Sequence, residues 1–211
     1  MITEEFKAQM ILDETKILLF PLSNAIILPR RELDLCIEKP ELISLVDAAL
    51  KSNRLLGIIQ PKKTKGLHKI GCLARIIGFQ ETEAGYEIKL AGVCRFVLGE
   101  IVSHETCHYR YHVNYDLHKE EDLRNEVKGQ IDRKDFLINL KSYLIQQDLL
   151  CDKWDEIHQI TDDKMVSCLS MVCPFCPQEK QALLEAPDLQ TRFELLNAFV
   201  ERNIDKKCCC H

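Results

Sequence analysis

The sequence predicts an α+β protein in which a β-rich domain is followed by an α-helical bundle. Apolar residues alternate along several segments before His118, whereas after Lys119 they recur at helical spacing. Seven of the eight glycines lie between Gly57 and Gly99. Glycine inside a strand commonly marks a bulge or a close backbone approach, so this usage indicates a small, barrel-like sheet of tightly curved antiparallel strands.

The segment 16–61 predicts three strands and one helix. A short apolar run at 17–22 predicts the first strand, and apolar residues alternate with polar ones through 33–37. Pro40 suits the first turn of a helix, because the N–H that proline lacks has no partner there. The apolar run at 54–60 returns to a strand.

Further strands and then helices are predicted beyond this segment. The residues 83–85 lie between two apolar runs and indicate a hairpin turn. His108 and His112 share the polar face of a strand, where they lie about 13 Å apart, too far to bind one metal. The glycine-poor segment that follows predicts amphipathic helices. The expected organisation is an N-terminal arm at 1–15, a β-rich domain at 16–118, a helical bundle at 119–203 and a cysteine-rich tail at 204–211.

A series of short segments stands in a characteristic order: FPL at 20–22, LP at 28–29, LDLCI at 33–37, RLLGIIQP at 54–61, IGCLARIIGF at 70–79, IKLAGVCRFVL at 88–98 and PQEKQALLEAPDLQTRFELL at 177–196. In this order they resemble the N-terminal domain of Lon-type ATP-dependent proteases, and most of all the short bacterial proteins made of that domain alone. The resemblance implies a PUA-like β domain followed by a helical bundle. It departs at 38–42, where the family's Phe-Glu-Pro-Arg-Tyr run is replaced by Glu-Lys-Pro-Glu-Leu.

The resemblance implies a non-catalytic module that binds polypeptides, either unfolded or client segments or a Lon-type protease that it serves. Neither GxxxxGK[ST] nor GxGxxG occurs in the sequence, and no serine–lysine protease segment is present, so we expect no enzymatic activity and no cofactor. The binding surface should expose apolar groups between the β domain and the bundle. Its polar rim has four candidate residues, for which ordinary solvated charge is the alternative interpretation: Arg30, Arg31, Lys62 and Lys63.

The cysteines support a different hypothesis, that of a zinc- or thiol-dependent protein. Cys173 and Cys176 form a CxxC motif, and a helix start beside such a motif lowers the pKa of a thiol. Cys208 and His211 of the tail would complete four zinc ligands. A helical pattern precedes the motif, however, whereas a thioredoxin-like site needs a βαβ setting. The alternative is that these cysteines pack between helices, as Cys36, Cys72 and Cys94 are expected to pack within strands.

Charge and hydropathy limit the remaining classes of function. The net charge is −5, and all of it lies in 119–211, since 1–118 holds as many basic as acidic residues. This balance argues against binding to a phosphate backbone, although an RNA-binding PUA-like protein stays an alternative. The N-terminus lacks the pattern of a secretory signal, and no apolar run is long enough to span a membrane. We therefore expect a soluble, cytoplasmic protein without a membrane partner.

Overall fold

The computed structural model describes residues 12–105, 108–124, 131–149 and 154–208, which form two compact units. The units divide between Asn125 and Glu126; the described residues of the first unit contain the strands, and those of the second are helical. The predicted α+β class, with a barrel-like sheet followed by helices, is confirmed.

Six strands form one sheet in the first unit: β1 (Lys16–Pro21), β2 (Glu32–Ile37), β3 (Leu55–Ile59), β4 (Ile70–Thr82), β5 (Gly85–Glu105) and β6 (His108–Asn114). Their order across the sheet is β2-β5-β4-β3-β1-β6, and β6 also pairs with β5. Because the last strand pairs back onto β5, five strands close into a ring. The remaining strand, β2, lies on the outside of β5.

One strand pair departs from the antiparallel arrangement predicted from the sequence. β1 and β3 run parallel, with Leu19 opposite Gly57, while the other pairings are antiparallel. Between these two strands the chain passes through β2 and the helix α1 (Pro40–Leu50). Parallel neighbours need a long crossover of this kind, which a hairpin cannot provide. The sheet is therefore mixed.

The long strand β5 reaches three neighbours because the sheet is strongly bent around it. Its register with β4 shifts at two points, one of them between Ile76 and Gly78. At Gly92 the backbone of another segment comes so near that a Cβ atom would lie 2.2 Å from the Leu28 carbonyl oxygen. These bulges and close approaches agree with the strand glycines of the sequence.

Apolar side chains from the ring strands fill the interior of the first unit. Buried core residues include Ile17, Leu19, Leu55, Ile59, Leu73, Phe96 and Val113. Cys72 and Cys94 are buried as expected, and burial raises the pKa of both thiols. Cys36 is exposed, contrary to expectation, because it lies on the polar face of β2.

A short helix, α2 (Lys119–Asp122), belongs to the first unit, although the sequence assigned it to the helical bundle. Asp122 is only 5% exposed, and its carboxylate accepts hydrogen bonds from the backbone N (2.8 Å), Nε (3.0 Å) and Nη2 (2.7 Å) of Arg95. Arg95 itself is fully buried. The ion pair explains why the first unit continues past His118. The predicted domain boundary after residue 118 concerns how separate fragments fold, and it stays a prediction.

The second unit consists of α3 (Arg133–Gln146), a 3₁₀ helix (Trp154–His158), α4 (Asp162–Val172), α5 (Pro177–Glu185) and α6 (Leu189–Cys208). The long α6 contacts α3, α4 and α5, so it forms the centre of this unit. Aromatic rings contribute to the packing, as where Phe175 stacks on Tyr143 with ring centroids 5.8 Å apart. Within the described ranges, no helix has the length and apolar character needed to cross a membrane.

Candidate functional site

The outer edge of β2 is the candidate binding surface of the first unit. Among the described strands, each of the others pairs with at least two strands, whereas β2 pairs with β5 alone. An edge strand presents backbone N–H and C=O groups with which another extended chain can pair. We refer to the residues Glu32–Ile37, with their outward-facing backbone groups, as the β2 edge.

Ladder alternation identifies the backbone groups that point away from β5. The N–H of Gly92 donates to the carbonyl of Arg31 over 2.8 Å, so position 31 faces β5. Successive residues of a strand alternate in direction, and odd positions of β2 therefore face β5 while even positions face outward. In the two-residue turn between β4 and β5, Gly85 pairs with Thr82 and therefore faces β4. By alternation, even positions of β5 face β2, and their partners on β2 are the odd positions. The outward backbone groups of the β2 edge belong to Glu32, Asp34 and Cys36.

The side chains of these three residues form an open, acidic face. The side chain of Glu32 is 61% exposed and that of Asp34 is 76% exposed, and Cys36 is exposed as well. The Nζ of Lys89 on β5 lies 3.4 Å from Glu32 and 3.7 Å from Asp34. One ammonium thus stands beside two carboxylates, so this face stays negative.

The opposite face of the same strands continues the core as a partly exposed apolar strip. Leu35, Ile88 and Phe79 lie side by side across β2, β5 and β4, with Ile88 buried and Phe79 41% exposed. Tyr86 packs edge-on against Phe79, with ring centroids 4.8 Å apart. Its hydroxyl donates to Asp47 of α1 over 2.9 Å, and this hydrogen bond raises the pKa of Tyr86. The strip is held in place on one side by α1 and is open at Phe79.

A shallow depression of about 440 Å³ spans the three strands next to the β2 edge. Asp34 and Cys36 of β2, Lys89 of β5 and Gly78 of β4 are among the residues that line it. Gly78 lies at the bulge of β4 and contributes no side chain. The depression therefore offers room for the side chains of a segment that lies along β2.

The four predicted rim residues occupy two separate places in the first unit. Arg30 (φ 62°) and the half-buried Arg31 directly precede β2, and Nη1 of Arg30 donates to the carbonyl of Arg124 over 2.9 Å. Lys62 and Lys63 are exposed in the loop that joins β3 to β4, neither of which neighbours β2. The arginines thus adjoin the β2 edge and the lysines do not. A role for either pair in binding stays a prediction.

The cysteines of the CxxC motif have different environments in the second unit. Cys173 is buried just after α4, and burial raises the pKa of its thiol to about 12, which opposes the thiolate that redox chemistry needs. Cys176 is exposed, and its N–H donates to Glu179 Oε2 over 2.8 Å at the start of α5. The described residues contain no group of three metal-binding side chains. The side chain of Cys208 and the whole of His211 lie outside those residues, so the zinc hypothesis stays a prediction.

The second unit carries a groove of its own, with a volume of about 460 Å³, between α3 and the 3₁₀ helix. Leu137 and Ile138 line it with apolar groups, and the Nζ of Lys141 lies 6.0 Å from the centroid of the Trp154 ring. That distance is at the outer limit of a cation–π contact. Arg133 also lines the groove and is paired with Asp162. This groove has a basic rim, in contrast to the acidic β2 edge.

The fold and the open strand edge together define a binding module built on a barrel-like sheet. The model of the ATP-dependent protease La (LON) substrate-binding domain matches residues 16–202, and the chain belongs to this family. Lon protease 2 of Myxococcus xanthus is 24% identical over 200 residues, which are 87% of this chain and 23% of that protein. The chain therefore spans about a quarter of the curated relative.

Two solved structures show the same fold. The N-terminal domain of a Lon protease from the Mycobacterium avium complex matches with a TM-score of 0.66 and 16% identity, over 88% of this chain and 98% of that one. A Lon N-terminal domain protein from Xanthomonas campestris matches with a TM-score of 0.62 and 18% identity, over the same shares. The resemblance to Lon N-terminal domains inferred from the sequence is confirmed.

Proposed function

We propose that this chain is a non-catalytic module that binds unfolded or client polypeptides, and that it does so in the cytoplasm in the service of a Lon-type protease. The family model that it matches is described as a substrate-binding domain, and the substrates of a protease are polypeptides. The observation that carries the proposal is the β2 edge beside a partly exposed apolar strip.

The chemistry of this surface suits ligands that share little sequence. Every unfolded polypeptide exposes backbone amides and apolar side chains, and these are the two features that a strand edge and an apolar strip recognise. Backbone hydrogen bonds are the same for nearly all residues, so they supply affinity without a fixed motif. A module that binds many different unfolded chains needs a surface of such low sequence specificity.

The RNA-binding alternative receives no support from the candidate site. Proteins that bind nucleic acids neutralise phosphates with lysine and arginine side chains. Glu32 and Asp34 dominate the open face of the β2 edge, with Lys89 as their shared partner. A phosphate backbone would meet repulsion at this surface.

A binding measurement with one protein in two states tests the proposed function. Fluorescein-labelled α-lactalbumin, reduced and capped with iodoacetamide so that it stays unfolded without added charge, is expected to bind with a dissociation constant on the order of 1–100 μM, typical of weak, transient recognition. The disulfide-intact, folded form is the matched control and should bind at least tenfold more weakly, because its backbone amides and apolar groups are already paired or buried.

The same preparation is expected to show no hydrolysis of ATP and no cleavage of casein. Equal binding of folded and unfolded α-lactalbumin would contradict the proposal, and so would turnover of either substrate after contaminating enzymes are removed. Displacement of the unfolded ligand by an equimolar amount of polyuridylate would favour the RNA-binding alternative instead.

A further inference from the structure

In the described sheet, β2 is the strand whose whole length is open on one side, where another strand can add. Five strands are closed into a ring by the pairing of β6 with β5, and only the ends of the longer strands, such as 77–82 of β4, extend past a ring neighbour. At the β2 edge, Glu32, Asp34 and Cys36 each direct one N–H and one C=O outward, and none of the described residues hydrogen-bonds to these groups. The edge is six residues long, which is a common length for a strand.

We propose that the β2 edge binds an extended polypeptide segment as an additional strand, and that the preferred segment alternates basic with apolar residues. This inference rests on the proposed function and names the way in which the ligand is held. The outward N–H and C=O groups pair with the ligand's backbone, as in other cases of strand addition. The side chains of β2 then select which residues the ligand carries.

The side chains of β2 determine which side chains are favoured at each position of the ligand, because they become its cross-strand neighbours. Residues opposite each other in adjacent strands share a face, and oppositely charged or apolar pairs there are favourable. On the polar face the ligand lies beside Glu32 and Asp34, which favours lysine or arginine. On the other face it lies beside the half-buried Leu33 and Leu35, which favours apolar side chains. Alternate residues of the bound segment therefore contact the polar face and the apolar face of β2.

The same charges oppose the pairing of two copies of this chain along β2. In an antiparallel pair of identical strands, a register centred on Asp34 places that carboxylate opposite its counterpart, and a register centred on Leu33 places it opposite Glu32. Like charges directly opposite each other are destabilising, and charged residues commonly protect edge strands in this way. The acidic face thus disfavours self-association while it admits a basic ligand.

A proline substitution separates the backbone contribution from the side-chain contribution. Asp34→Pro removes an outward N–H and places a ring at the edge, and proline is tolerated in edge strands where the N–H faces solvent. Asp34→Ala is the matched control, because it loses the same carboxylate and keeps the N–H. A six-residue peptide of alternating lysine and leucine is the probe. Its dissociation constant is expected to be at least tenfold higher for the proline variant than for the alanine variant, with similar thermal midpoints for the two proteins.

Charge reversal tests the pattern of the ligand without a backbone change. Wild-type protein is expected to prefer the lysine–leucine peptide over a glutamate–leucine peptide by at least tenfold. The double variant Glu32→Lys/Asp34→Lys should invert that preference. An unchanged preference in the double variant would overturn the assignment of the ligand's charge.

The outcomes distinguish this inference from the proposed function. If wild-type protein binds unfolded α-lactalbumin and the Asp34→Pro and Asp34→Ala variants bind the peptide equally, strand addition at β2 is wrong while the proposed function stands. If wild-type protein binds no unfolded polypeptide, the proposed function itself fails. Conversion of a wild-type dimer into a monomer by Asp34→Pro would show that the edge pairs with a second copy, and would also overturn the inference.

Discussion

Asp122→Ala is expected to destabilise the first unit by about 3–5 kcal/mol, the typical loss when one partner of a buried ion pair is removed. The guanidinium of Arg95 has no exposed surface, and Asp122 accepts hydrogen bonds from its Nε, its Nη2 and its backbone N–H. Without the carboxylate, the positive charge of Arg95 stays in the interior of the sheet and loses the counter-charge of Asp122. Urea denaturation followed by circular dichroism measures the loss.

Two control variants test whether this effect comes from the lost counter-charge. Asp122→Asn keeps the size of the side chain and some of its hydrogen bonds, so it should lose less stability than Asp122→Ala. The double variant Arg95→Met/Asp122→Leu removes both charges and should recover much of the lost stability, as apolar replacements of buried ion pairs commonly do. A loss below about 1 kcal/mol for Asp122→Ala would contradict the importance of this pair, because such a value is typical of exposed pairs.

Gly92→Ala is expected to cost about 3 kcal/mol or more, because the new methyl group has no space. Its Cβ would lie 2.2 Å from the carbonyl oxygen and 2.9 Å from the carbonyl carbon of Leu28, and both of these are backbone atoms. Gly92 also bonds to the start of β2, since its N–H donates to Arg31 and its carbonyl accepts from Arg30. Displacement here should loosen β2 on β5, and we expect weaker binding at the β2 edge as well.

Gly78→Ala is the matched control in the neighbouring strand. The nearest atom to a Cβ at Gly78 is the Cβ of Lys89 at 3.1 Å and the nearest backbone atom is the Lys89 N at 4.0 Å, so a local shift of a few tenths of an ångström makes room for the methyl group. We expect a loss of at most about 1 kcal/mol for this variant, near the centre of the range for single substitutions. Equal thermal midpoints for Gly92→Ala and Gly78→Ala would show that the approach of Leu28 does not constrain the fold.

Local patterns in the sequence were sufficient to predict much of the first unit. The alternation at 33–37 identified β2 and its two faces, and Pro40 identified the start of α1. Both signals depend on neighbouring residues, whose period and backbone chemistry are visible in the chain itself. The same alternation would have placed Cys36 on the exposed face, had it been preferred to the general tendency of cysteine to be buried.

Features that depend on long-range pairing were not accessible from the sequence. The position of β2 at the edge follows from its pairing with β5, which brings Leu35 opposite Ile88. The parallel pair β1–β3 follows from the path of the crossover, and the assignment of α2 follows from the pair of Arg95 with Asp122. In each case the decisive partner lies far away in the chain, and one sequence does not reveal it.

The candidate binding surface shows the same limit. From the sequence, positive charge selected Arg30, Arg31, Lys62 and Lys63 as rim residues, because charge is visible without a structure. The β2 edge consists of backbone groups that every residue possesses, so no residue type marks it. Its outline appears only when the strand order is known.

Strand addition at the β2 edge is best tested by hydrogen exchange at the amides of β2, measured by NMR with and without unfolded α-lactalbumin. The amides of Glu32, Asp34 and Cys36 are expected to gain protection on binding, because they acquire partners in the added strand. The amides of Leu33 and Leu35 should change little, since they already face β5. Saturating ligand that leaves the three even-numbered amides as exchangeable as before would contradict strand addition at the β2 edge.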